Sequence, residues 1–223
     1  MMSTRHNYTD LIVRNALLRG EVQTRDLFMS NGLYVSSEED LSASCIGEVD
    51  AGGKLCIPGF IDPHIHLDKA HTIVSAKANH SGTLTEAIKI GLDLKRNYTC
   101  DDLIKRAGKA IVAAVSNGVT HLRTHVDVDN VGGLLPLEAI VEARRIYSDI
   151  VDLQIVAFPQ EGLIRNKGTV DLMWRAMEEG ADVVGGMPLN EDRAEESANH
   201  IQIAFEIAKS FDADIDMHVD ESD

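Results

Sequence analysis

The stretch "IPGFIDPHIHLDKAHT", residues 57–72, places two histidines one residue apart at the end of an apolar run interrupted by Pro58 and Gly59. The run reads as a buried strand. Alternate residues of a strand project from the same face, so His64 and His66 point the same way. Two imidazoles so placed can bind one divalent metal ion through nitrogen. From this stretch alone, a pair of hydrogen-bonded loop histidines reads equally well.

After residue 57 the chain alternates between strand-like and helix-like segments. Thr83 and Glu86 have the spacing of a capping box ahead of Ala87, Ile88 and Leu92. Residues 101–116 carry one apolar face (Leu103, Ile104, Ala107, Ala110, Ile111, Ala114), with Gly118 suited to end the helix. Strand "VTHLRTHVDV", a helix over 136–147 and strand "VDLQIVAFPQ" follow. Next come a helix over 169–179, strand "ADVVGGMP", a helix over 194–209 and strand "ADIDMHVDE". Strands alternating with helices imply parallel βαβ units. No GxGxxG or GxxxxGK[ST] loop follows any strand, so a nucleotide-binding open sheet lacks its usual phosphate-binding loop. Polar residues cluster instead at the C-terminal ends of the strands: His64 and His66; His125 and Asp127; Gln160 and Glu161; His218, Asp220 and Glu221. In (β/α)₈ barrels that end carries the chemistry. Residues 1–56 differ, with short apolar stretches broken by Gly20, Asn31–Gly32 and an acidic cluster, and they read as a small β-unit.

The 223 residues carry 21 basic and 36 acidic side chains, a net charge of −15. So acidic a chain suits neither nucleic acid nor an anionic membrane. No apolar run has the length of a membrane span, and no secretory signal opens the sequence. Cys45, Cys56 and Cys100 are widely spaced and odd in number. They read as reduced thiols, giving a cytoplasmic expectation.

His218 strengthens the metal reading, because it too ends an apolar strand and a carboxylate, Glu221, follows three residues later. Metal-assisted hydrolysis uses such a set: imidazoles to hold the ion and an acid to move a proton.

The segment "VDAGGKLCIPGFIDPHIHLDK" resembles the first-strand signature of the amidohydrolase superfamily. "RTHVDV", "DLQIVAFPQEG", "GADVVGG" and "HVDES" extend the resemblance to its cytosine deaminase-like branch, which includes aminotriazine-ring hydrolases. The resemblance implies an α/β fold: a partial (β/α)₈ TIM-type barrel, about five of eight strands over residues 57–223, preceded by part of a small β-sandwich over 1–56. It implies one divalent ion, zinc or iron, held by His64, His66 and His218. It makes Gln160 the residue that hydrogen-bonds the substrate's ring edge and Glu221 the acid that passes a proton from the activated water to a ring nitrogen. The implied partner is a small heterocycle of pyrimidine or triazine type, with a homo-oligomer left open. Strand "ADVVGGMP" lacks the lysine that binuclear relatives carry, so the resemblance implies one metal rather than two.

A full barrel of that family continues for three more strands, with a further histidine and a metal-binding aspartate. The sequence reads as C-terminally truncated relative to it. A non-catalytic metal-binding or structural remnant is therefore the alternative from a different class, and a binuclear cyclic amidohydrolase is a third. The remaining polar residues have simpler readings. His125 and Asp127 read as structural, Asp68 and Lys69 as a local ion pair or pocket residues, and His121 as a core or interface histidine. His200 reads as a helix-surface residue, His71 as a solvated or loop-packing residue, and His6 and His80 as exposed. The Met173, Trp174 and Met177 stripe reads as core.

Overall fold

The computed structural model describes residues 10–41, 46–74, 76 and 78–220. The chain divides into two compact units, residues 1–59 and 60–223. In the first, β1 (Asp10–Leu18), β2 (Thr24–Ser30), β3 (Leu33–Val35), β4 (Ile46–Asp50) and β5 (Leu55–Cys56) form one mixed sheet in the order β3-β2-β1-β4, with β5 also paired to β1. β2 and β3 pair antiparallel through Ser30 and Leu33. Asn31 and Gly32 between them have φ of 52° and 78°. Both central positions of a tight hairpin turn need positive φ, which Asn-Gly tolerates at little cost. Arg14 binds Asp26, Glu38 and Glu48 on one face of this sheet. His6 and Cys45 lie outside the described residues; Cys56 and Cys100 are free thiols.

The second unit runs β6 (Phe60–Ile65), α1 (Leu84–Lys95), α2 (Cys100–Ser116), β7 (Val119–Asp127), α3 (Leu135–Ile146), β8 (Asp152–Phe158), α4 (Thr169–Glu178), β9 (Val183–Gly186), α5 (Ala194–Phe211) and β10 (Asp214–Met217). Its five strands are parallel and lie in the order β10-β9-β8-β7-β6. Sequence neighbours are spatial neighbours throughout, without the reversal of order that marks a doubly wound sheet. The unit is a curled half-barrel of α/β type.

Local chemistry sets the helix boundaries. The Thr83 hydroxyl accepts the Glu86 amide hydrogen, so half of the expected capping box forms. The Glu86 carboxylate turns instead to the Ser81 amide, at 2.6 Å. Thr99 caps α2 in the same way. Gly118, at φ +88°, reverses the chain into β7. The core lies between sheet and helices. Ile155 and Ala157 of β8 and Leu122 and Val126 of β7 pack with Ile111, Leu137, Ile140, Met173 and Met177, and Trp174 lies against the same cluster.

Three expectations need correction. β6 is largely exposed rather than buried, with Phe60 and Ile61 54% and 69% accessible, because it is an edge strand of the described sheet, paired only with β7. His121, read as a core or interface histidine, is not in the core: it is the third residue of β7, near that strand's exposed start, and bonds Thr120 and Asp152. His200 is fully buried rather than on a helix surface. Its Nδ1 lies 2.7 Å from a Glu191 carboxylate oxygen, and its Nε2 accepts the Met187 amide hydrogen at 3.1 Å. This pair ties α5 to the end of β9.

β9 approaches β8 closely. A Cβ built on Gly185 would lie 2.5 Å from the Ala157 carbonyl oxygen and 3.1 Å from Phe158 Cα. Overpacking of this kind costs about 1–3 kcal/mol. Gly185→Ala should lower the chemical-denaturation midpoint by a corresponding amount. An unchanged midpoint would show that β9 moves freely against β8.

Candidate metal centre and adjoining pocket

β6 presents His64 within the strand and His66 immediately after it, their ring centroids 5.2 Å apart. β10 carries the chain to His218, whose amide donates to the Gly186 carbonyl at 2.9 Å and so extends the β9–β10 ladder. Its ring centroid lies 4.7 Å from that of His64 and 5.5 Å from that of His66. One nitrogen from each of the three rings lies within 4.8 Å of the others. The three histidines expected to act together therefore converge, although the chain separates the third from the first two by most of the half-barrel.

The donor set suits a divalent ion. Three imidazoles offer nitrogen donors of the kind zinc and iron take. His66 is held neutral, its pKa pushed down to about 3 by burial and by the neighbouring Lys69 ammonium. Its Nδ1 is buried without a hydrogen-bond partner in the protein, which is costly unless something else satisfies it. His125 from β7 is a fourth imidazole at the cluster. It is fully buried, 4.3 Å from the His64 ring centroid and 4.9 Å from that of His218. Burial pushes its pKa down to about 4. Asp216 lies 3.4 Å from its Nε2 and is itself held by Arg123 at 2.8 Å.

Phe158, at the end of β8, lies within reach of both this cluster and a second group of polar residues. Its ring lies 4.3 Å from that of His218 and 5.6 Å from the Lys69 ammonium. Lys69 donates to the Gln160 side-chain oxygen and pairs with Asp127 at 2.7 Å. Lys95, from the end of α1, pairs with the other Asp127 oxygen at 2.6 Å, with Asp129, and more distantly with Glu161. Burial alone would raise the Asp127 pKa; the two lysines outweigh it and hold the carboxyl well below the usual range. Burial would likewise lower that of Lys95, but Asp127 and Asp129 raise it above the ordinary lysine value. Asp68 does not pair with Lys69 as a local couple. It is buried, accepts the Asp127 amide hydrogen at 3.1 Å, and has its pKa raised by burial and by the Asp127 charge. Arg106 donates to the Asp68 and Ala70 carbonyls, fixing the turn that carries Lys69.

Gln160 is held from the opposite side. Asn190 donates to its carbonyl at 2.5 Å, and Glu191 gathers the Leu163, Ile164 and Arg165 amides. Glu221 lies outside the described residues. The sequence reading missed Lys95, Asp129 and the Glu191–His200 pair. Lys95 had a signal, since positions 88, 92 and 95 share one helical face.

No protein-family model matches the chain. N-isopropylammelide isopropyl amidohydrolase of Pseudomonas sp. strain ADP is 32% identical over 215 residues, 94% of this chain and 53% of that protein. The structure of 5-methylcytosine deaminase from Klebsiella pneumoniae superposes with a TM-score of 0.85 at 37% identity, covering 95% of this chain and 52% of that one. The relatives and structural neighbours are members of the amidohydrolase superfamily. N-isopropylammelide isopropylaminohydrolase from Burkholderia multivorans adds a TM-score of 0.80 at 28% identity, with 96% and 54% coverage. The chain thus spans about half the length of the amidohydrolases it matches, and the named relatives are hydrolytic enzymes. Among the described residues, no helix is long and apolar enough to cross a membrane.

The lysine–aspartate group makes a direct prediction. Lys95→Met leaves Asp127 and Asp129 buried with less compensation, a change that costs about 3–5 kcal/mol when one partner of a buried pair is removed. Urea unfolding at pH 7 should show that loss. A depressed carboxylate pKa stabilises the fold above the unfolded-state value near 3.9, and the stabilisation is lost as pH falls through the folded-state value. The variant's deficit should therefore narrow as the buffer is taken toward pH 3.

Proposed function

We propose that this chain supplies the first half of a mononuclear metal-dependent hydrolase site acting on a C–N bond of a nitrogen heterocycle, of the cytosine deaminase type. The observation that carries the reading is the convergence of His64, His66 and His218, one nitrogen of each within 4.8 Å of the others. These three would hold one zinc or iron ion. Such an ion supplies Lewis acidity, making water a competent nucleophile near neutral pH.

The protein's own groups perform the remaining tasks. Gln160 keeps its oxygen engaged with Lys69, which turns its amide N–H donors toward other acceptors. Lys69 has a third ammonium hydrogen beyond those used by Gln160 and Asp127. Together they offer donors to the ring nitrogen and carbonyl edge of a pyrimidine or triazine, fixing the reacting carbon beside the histidine cluster. Glu221 takes a proton from water and returns it to the ring nitrogen, a role that rests on its match to the family's "HxDE" stretch. Met187 follows β9 where binuclear relatives carry a lysine, which favours one metal over two. The relatives' names, a 5-methylcytosine deaminase and an N-isopropylammelide hydrolase, support a heterocyclic substrate.

Two substitutions separate the roles. His218→Ala should lower metal occupancy together with any ammonia release. Glu221→Gln should retain the metal and lose turnover by about 10²–10⁴-fold, the usual contribution of a general acid–base group. Metal analysis alongside ammonia release from a panel of pyrimidines and triazines checks both. Bound metal with no ammonia from any of them would favour the non-catalytic reading.

A further inference from the structure

A cavity of about 200 Å³ lies beside the Lys69–Gln160 pair, bounded by Lys69, Asp127, Gln160 and Glu161 on the strand side and by α1 on the other. The two walls differ in chemistry. The strand ends present charged and hydrogen-bonding groups already committed in part to one another. α1 presents Ala87, Ile88, Gly91 and Leu92, with Lys95 and Tyr98 at its C-terminal end; the first four form an apolar surface able to offer a ligand only contact and exclusion of water. A Cβ built on Gly91 meets nothing within 4 Å, so the helix leaves room at that position for something other than its own side chain.

We propose that this α1 surface is a specificity wall that receives an apolar substituent on the heterocycle while the opposite edge of the ring is bonded by Gln160 and Lys69. The inference rests on the heterocycle reading above and deepens it by assigning the substituent's chemistry: alkyl, methyl-sized or slightly larger, rather than charged or hydrogen-bonding. An anionic substituent would be drawn to Lys69, the more accessible of the two lysines, and would leave α1 without a role. An unsubstituted ring leaves the space beside Gly91 unfilled.

Gly91 lends itself to a test. Replacing a mid-helix glycine by alanine normally favours the helix, and the open space at Gly91 admits the added methyl. Gly91→Leu narrows the cavity further. With the zinc-loaded chain, calorimetric dissociation constants are measured for cytosine, 5-methylcytosine and N4-methylcytosine in the parent, Gly91→Ala and Gly91→Leu. Zinc content and circular dichroism of each protein accompany them. The expected result is a shift in the ratio of methylated to unmethylated affinity for at least one of the two methyl positions. That shift should be about 10-fold or more in Gly91→Leu, the scale on which a pocket senses one methyl group, and smaller in the same direction in Gly91→Ala. Ratios unchanged at both positions in folded, zinc-containing variants overturn the wall alone. Loss of helical signal in Gly91→Leu leaves Gly91→Ala to decide, by the same ratio. If the parent binds none of the three rings, the heterocycle reading falls, and the wall with it.

Discussion

Parallel strands joined by crossover helices must all run in one direction, and their C-terminal ends therefore gather at one edge of the sheet. Everything chemical in this half-barrel follows from that constraint. β6, β7, β8 and β10 each end in residues that would be expensive to bury singly: His64 and His66, His125 and Asp127, Gln160, and His218. Brought to a common edge they satisfy or complement one another, and a metal-type nitrogen cluster arises from residues distant in sequence. At β9, inside the sheet, the cover is complete: all four of its residues are buried.

Charge fixes the geometry of that edge. Asp127 draws in Lys69 from the turn after β6 and Lys95 from the end of α1, and its amide is held by Asp68. Lys69 and Lys95, bonded to Asp127 and Asp129, thus join three segments by charge-assisted bonds stronger than neutral ones. Buried ion pairs seldom add net stability over apolar packing; here they place side chains. Lys69 is held where it meets Gln160, and α1 is held against the cavity. On the far side, the Glu191–His200 pair performs the same task for the loop between Gln160 and α4. The candidate pocket is thereby clamped from both flanks.

Much of this was legible in the sequence, for identifiable reasons. The period-2 placement of His64 and His66 and the apolar stripes of α2 through α5 record local geometry, which a linear reading can recover. The parallel α/β class followed from alternation of the two periods. What escaped depends on partners far along the chain. His200 lies among polar neighbours on α5, and only the return of Glu191 beneath it turns it into a buried anchor. Lys95 resembles any lysine near a helix end until Asp127 and Asp129 arrive from β7 and the loop beyond it. The exposure of β6 reflects its lack of a second neighbour among the described strands, which composition does not record. β4 and β5 were absent from the reading altogether.

The account stands on the three-histidine centre, and X-ray absorption at the zinc edge of the metal-loaded chain tests it most directly. It predicts first-shell nitrogen scattering at about 2.0–2.1 Å, with the multiple-scattering pattern of about three imidazoles, collapsing in a His64→Ala, His66→Ala double variant. A shell of oxygen alone, sulfur at about 2.3 Å, or a spectrum indifferent to the double substitution would contradict it.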